Sequence, residues 1–190
     1  MKKRLLAINS EAEINAYDCW LEKSNVADLV SSHDIVFDTI DILDLSAIIA
    51  LNDECRRQSK WSIGAVSAGW GALTICFSPD SQVGYRELLG IPPESIVENM
   101  SYVERFATAF ARLGTVLPKE IIDVMSRTLV IMEDGAPCPA PHLAIGSYCI
   151  AALATTVALR VLDNKPVAVA PQACFIDLNH CACHSVISLL

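Results

Sequence analysis

The sequence predicts an α/β fold, a single domain over residues 1–190 whose mostly parallel central sheet carries helices on both faces. Three observations lead there. Short apolar stretches rich in β-branched or small residues alternate with longer segments of helical spacing. Hydrophobic residues make up 53% of the 190 and charged residues 19%, enough for a packed core and too apolar for disorder. The stretch "HLAIGSYCIAALATTVALRVLDNKPVAVA", His142 to Ala170, reads as strand, alanine-rich helix, turn and strand, a βαβ unit with a right-handed crossover.

In chain order, "RLLAI" reads as a short first strand. "EINAYDCWLEKSNVADLV" reads as a helix, with Ile14, Tyr17, Trp20 and Leu21 near helical spacing. "DIVFDTIDIL" favours an extended segment, and "DLSAIIALNDECRRQ" a helix on Leu45, Ile48, Ile49 and Leu51, with Arg56 and Arg57 complementing its dipole. "WSIGAVSAGWGALTICFS" reads as a buried strand, a glycine turn at Gly69–Gly71 and a second strand or short helix. "YRELLG" is a helical turn stopped by Gly90, Pro92 and Pro93. Glu94 to Leu113 carries Val97, Met100, Val103, Phe106 and Phe110 three or four apart, and Gly114 closes that helix. "PKEIIDVMSRTLVIM" starts a further helix at Pro118, and "EDGAPCPAP" is a loop. "HLAIGSY" suits a strand, "CIAALATTVALRVL" a helix and "KPVAVA" a strand. The rival reading pairs "TTVALRVL" with "KPVAVA" as a hairpin across "DN". "HCACHSVISLL" closes the chain as a helix capped by Asp177 or Asn179.

A net charge of -8 argues against nucleic acid and anionic membranes as partners. The apolar run Leu5 to Ile8 is shorter than the ~7 residues of a signal core. No apolar run approaches the ~18 residues of a membrane span, so a cytoplasmic protein is expected. The eight cysteines, several among Ala, Ile, Val and Phe, suit a reduced interior.

Four clusters carry candidate chemistry. Cys149, if it opens a helix, faces unpaired N–H groups that stabilise the thiolate and suit it to acyl-thioester chemistry; otherwise it is a small core residue. His180, Cys181 and His184 share a helical face and suit Zn²⁺ or another soft metal, with Cys174 or Cys138 as further ligands, or they are a coincidental cluster. "GAVSAGWGAL" permits close backbone approach but is neither GxGxxG before a helix nor a P-loop, so no nucleotide or other cofactor is implied. Asp38, Asp41 and Asp44 at spacing three line a solvated helical face or bind a hard cation.

Two resemblances follow from these segments. "LSAIIALNDECRRQ", "IGAVSAGWGAL", "IVENMSYVERFATAFARLG" and "GSYCIAALATTVALRVLDNKPVAVA" resemble, in that order, the N-terminal half of the thiolase-like fold of β-ketoacyl synthases. That resemblance implies a ketosynthase-like subunit in acyl or polyketide chain synthesis, inactive or dependent on a partner. Cys149 would accept the acyl group, acyl carrier protein or coenzyme A would donate it, and an oligomer would complete the site. "AIG", "ATT", "KPVAVAPQAC" and "CHSVISLL" are similar to the isochorismatase-like hydrolase fold, with Gly146 and Cys174 well placed. The acidic position then falls near Asn9 and the nucleophile position on Ala152, which implies a binding or assembly module without its triad. A third reading is a small metal-binding protein using His180, Cys181 and His184.

Overall fold

The computed structural model describes residues 1–137 and 143–190, and within those the side chains of all but residues 68 and 182–185. Five strands form one sheet in the order β1-β2-β3-β4-β5. β1 (Ile35–Asp38) and β2 (Trp61–Ala68) run parallel and are joined through helix α3 (Leu45–Arg57). β3 (Gly71–Phe77), β4 (Gln172–Asp177) and β5 (Ala182–Ser188) each run antiparallel to the strand before. The α/β class therefore holds, but the sheet is mixed rather than mostly parallel. The β2–β3 connection shows why. Only Gly69 and Trp70 separate the strands, and Gly69 takes φ +59°. A turn that short joins only antiparallel strands.

The core forms on both faces of β3, which is buried at all seven positions. Its period of two sends Leu73, Ile75 and Phe77 to one face. There they meet Leu45, Ile48 and Ile49 of α3, Leu88 and Leu89 of α4 (Tyr85–Leu89), and Leu113 of α5 (Tyr102–Leu113). Cys76 points the other way, with Ile63 of β2, onto Ala154, Val157 and Ala158 of α7 (Ala144–Leu162). Helices thus cover both faces. Local chemistry starts them: the Asp44 carboxylate accepts the Ala47 N–H at the head of α3, and Ser101 and Glu104 form a reciprocal capping box on α5. α6 (Lys119–Glu133) follows Pro118 as its spacing predicts.

Helix α7 departs from expectation in two ways. It opens at Ala144, so "AIGSY" is helix and not strand. Gly146 makes this possible, because a Cβ there would lie 2.3 Å from the Gly69 carbonyl oxygen; the first turns of α7 sit directly on the β2–β3 turn. It is also, at 19 residues and mean hydropathy 1.7, long and apolar enough to cross a membrane by length and composition, contrary to the expectation of no such run. Only the stripe on Gly146, Ala154, Val157 and Ala158 is buried against the sheet. The segment 155–162 is helical, which removes the hairpin reading. "KPVAVA" is irregular, and Ala170 N–H donates to the Cys76 carbonyl at its end. The strand expected there begins instead at Gln172.

Both termini change class. "RLLAI" lies in helix α1 (Lys2–Ile8), consistent with its Lys, Arg, Leu and Ala, and only Val26–Ser31 (α2) of the expected second helix is helical. The helical stretch from Glu94 shortens to a 3₁₀ turn at Val97–Asn99 followed by α5. The expected terminal helix is strand β5. Asp177, read as a helix cap, accepts the Asn179 N–H at 3.0 Å and so caps a hairpin turn by the same chemistry, closed by Cys181 at φ +50°. Cys138 and His142 lie outside the described residues.

Candidate functional site

The carboxyl end of β1 gathers the first polar cluster. Open α/β sheets bind ligands at the carboxyl ends of their parallel strands. Asp38, the last residue of β1, pairs with Gly64 of β2 and is buried. Its Oδ1 accepts the Ile40 N–H at 3.0 Å, and Tyr85 donates its hydroxyl to the same carboxylate. Gly64 leaves the room for this, since a Cβ there would stand 2.1 Å from Tyr85 Oη. The Tyr85 ring packs 4.8 Å from that of Phe77, and its N–H donates to Asn52 Oδ1 at 3.3 Å. Asn52 Nδ2 is buried beside it without a hydrogen-bond partner. Burial pushes the Asp38 carboxyl up to about 6, although the Ile40 N–H and Tyr85 hydroxyl both pull it down. Burial, then the Asp38 charge, raise the Tyr85 phenol well above its ordinary value.

The three aspartates do not form one face of a helix. Asp38 ends the strand, Asp41 Oδ1 accepts the Leu43 N–H at 3.0 Å, and Asp44 caps α3. Each carboxylate holds a turn of the connection. Arg105 reaches this connection from α5, but its Nη1 donates to the Leu43 carbonyl and its Nη2 to the Glu98 carbonyl.

A second cluster lies at the far end of β4. His180 Nδ1 lies 2.6 Å from Asp177 Oδ2, and His180 Nε2 lies 3.8 Å from Glu120 Oε1 in the first turn of α6. The Asp177 side chain is 6% exposed and that of His180 50%. The hydrogen bond to Asp177, then its charge, raise the His180 imidazole above its ordinary value. Burial pushes Asp177 up, but the hydrogen bonds from His180 and the Asn179 N–H outweigh it and hold the carboxylate low. These groups border a cleft of about 410 Å³, walled on its apolar side by Leu117, Phe175 and Ile187.

The residues singled out from spacing are thereby dispersed. Cys149 lies in the second turn of α7, five residues beyond Ala144, and is half-buried. The strand-to-helix junction expected at Cys149 is absent because the helix opens at Ala144, and Cys149 lies beyond the first turn, where dipole stabilisation acts. His180 and Cys181 stand in the β4–β5 turn, with Cys181 exposed. The backbone of His184 pairs with Phe175 inside β5, and nothing of its side chain is described. The shared helical face required β5 to be helix. Among the described residues, no three His, Cys, Asp or Glu side chains are placed to hold a metal ion. Sequence reading missed Tyr85 and Glu120. Tyr85 sits 47 positions from Asp38, and the only signal was its place just after Gly84 at the head of "YRELLG".

The fold is similar to two solved structures. One is selenomethionine PaaA, at TM-score 0.59 and 12% identity over 100% of this chain and 54% of that one. The other is MccB of E. coli, at TM-score 0.56 and 14% identity over 99% of this chain and 46% of that one. The chain thus spans about half the length of the structures it matches. No curated protein matches the sequence. These findings overturn both family resemblances. The thiolase-like reading, with its ketosynthase and acyltransferase activity and its acyl carrier protein partner, and the isochorismatase-like reading both required a parallel strand after α7, where β4 runs antiparallel to β3. The metal-binding reading falls with them. The ThiF family matches residues 1–187, nearly the whole chain, and the protein belongs to the ThiF family.

Proposed function

We propose that this chain is one half of a ThiF-type, ATP-dependent adenylyltransferase, completed along the edge of β1 by a further polypeptide segment. The observation that carries the reading is the open edge of β1. This strand pairs in parallel with β2 on one side and stands at the edge of the sheet on the other. Its Phe37 is 45% exposed. An unprotected parallel edge is a site for pairing with another strand, and the matched structures are about twice as long as this chain. ThiF-family proteins often act in oligomers or with partner proteins and are generally soluble, which supports association and a cytoplasmic location.

The residues present do not make a nucleotide site by themselves. Adenylyl transfer needs a cradle of backbone N–H groups and cations around the triphosphate. Residues 1–34, ahead of β1, contain no glycine and so supply no glycine loop. The three aspartates at the end of β1 are engaged with backbone N–H groups, and Arg105 spends Nη1 on the Leu43 carbonyl and Nη2 on the Glu98 carbonyl. The missing cradle belongs, in this reading, to the completing segment.

ATP–pyrophosphate exchange tests this. The 190-residue chain on its own is expected to be inert, and the chain with its completing polypeptide active. Phe37→Glu on the β1 edge is expected to abolish both the complex and the exchange. Exchange by the isolated chain, or a complex indifferent to Phe37→Glu, would overturn the reading.

A further inference from the structure

The cleft at the end of β4 plays no part in the function proposed above, yet its polar groups are arranged for a ligand. Asp177 is spent on His180 Nδ1 and on the Asn179 N–H. A carboxylate at Nδ1 keeps the proton there and leaves the Nε2 lone pair outward. Nε2 faces Glu120 Oε1 across 3.8 Å. When the imidazole is neutral, its Nε2 and the carboxylate oxygen are both acceptors, and the gap is too long for a direct hydrogen bond. Lys119 lies beside them, but its Nζ is directed to Asp123 at 4.0 Å. Two inward ligands are too few for a closed metal site, which takes four. Two adjacent acceptors call instead for a group with several donors and a positive charge.

The rest of the cleft sets what carries that group. Leu117 and Phe175 are buried, Ile187 is half-buried, and together they give the cleft an apolar wall. A volume of about 410 Å³ holds a ligand of about a dozen heavy atoms, at about 30 Å³ for each water-sized unit. We propose that this cleft binds a primary ammonium on an apolar body, the ammonium donating to Glu120 Oε1 and His180 Nε2 and the body lying on Leu117, Phe175 and Ile187. An amino-terminal apolar residue of a peptide and a free arylalkylamine share this chemistry.

Protonation of His180 turns Nε2 into a donor that pairs with Glu120 and fills the gap. Binding therefore falls as the pH drops through the His180 titration. The charged groups facing His180 among the described residues are Asp177 from β4 and Glu120 and Lys119 from α6; the cleft-lining residue of β5 is the apolar Ile187.

The test follows the His180 imidazole by NMR, assigned by its absence in His180→Gln, during titration with phenethylamine at a pH above the His180 titration, which the same resonance locates. A saturable shift is expected. The neutral analogue 2-phenylethanol and the variant Glu120→Gln should each weaken binding by about tenfold or more, because one charge-assisted contact is lost. Glu120 is exposed, so this variant leaves the fold intact. Phenylalanyl-glycine tested against phenethylamine separates the peptide source from the free amine, and glycyl-glycine, which lacks the apolar body, should bind more weakly than phenylalanyl-glycine. No saturable shift, equal binding of the neutral analogue, or unchanged binding by Glu120→Gln would each overturn the proposal.

Discussion

Asp38 makes stability depend on pH in the sense opposite to a carboxylate held low by an ion pair. Its folded value of about 6 lies above the ordinary 3.8, chiefly because burial penalises the charge. Between those values the folded protein holds a proton that the unfolded chain releases. Stability from this group is therefore fully present below about pH 4 and is lost as the pH rises through about 6. At about 1.36 kcal/mol per pH unit, the rise from 3.8 to about 6 amounts to about 3 kcal/mol of strain carried at neutral pH. Asp38→Asn keeps an oxygen for the Ile40 N–H and the Tyr85 hydroxyl but cannot ionise. Urea unfolding of both proteins across this range is the assay. The stability of Asp38→Asn relative to wild type should climb by up to about 3 kcal/mol between pH 4 and 6 and level off above. A difference that stays flat with pH, or narrows as the pH rises, would refute the assignment of the raised value to Asp38.

Other perturbations probe the surrounding packing. Gly64→Ala places a Cβ 2.1 Å from Tyr85 Oη and should cost about 1–3 kcal/mol by overpacking. In a Tyr85→Phe background most of that cost should vanish, and a double-mutant cycle with no coupling would show that the hydroxyl is not the obstacle. Gly146→Val should lower Tm, because its Cβ meets the Gly69 carbonyl oxygen at 2.3 Å and α7 must lift from the β2–β3 turn; an unchanged Tm counts against that contact. Burial pushes the Cys55 thiol up to about 11 and the Cys76 thiol up to about 12. Alkylation followed by peptide mass spectrometry at neutral pH should mark the exposed Cys19 and Cys181 ahead of these two. Early labelling of Cys76 would mean that β3 is open to reagent.

Elements with strong internal periodicity were legible. α3, α6, the α4 turn with Gly90 at φ +66° and the glycine turn after β2 all fall where spacing and glycines put them, and β3 takes the strand form of the two readings left open there. The misread elements share a different trait, in that their local signals serve two structures. An aspartate with a free backbone N–H two residues on caps either a helix or a hairpin, and Asp177 caps a hairpin. An apolar run of small residues suits a buried strand or a helix, and Gly146 resolves it only through contact with a turn 77 positions earlier. Tertiary contact decides such segments, and one sequence does not display it.

The same physics explains why unrelated families resembled this chain. Gly64 admits Tyr85 beside Asp38, Gly71 lies where a Cβ would stand 2.2 Å from the Ile176 carbonyl oxygen, and Gly146 seats α7 on the β2–β3 turn. Each glycine solves a packing problem that any α/β protein faces when a helix or strand must approach backbone closely. Strings such as "GAVSAGWGAL" and "AIGSYCIAALATT" therefore recur wherever that problem recurs, whatever the chemistry. What distinguishes this chain is carried by long-range pairs instead: Asp38 with Tyr85, and Asp177 and His180 with Glu120. Their members lie 47 to 60 residues apart in sequence. A site made of such pairs leaves no local motif: spacing picks out Asp38 and His180 but not their partners Tyr85 and Glu120, and Cys149 lies outside both polar clusters.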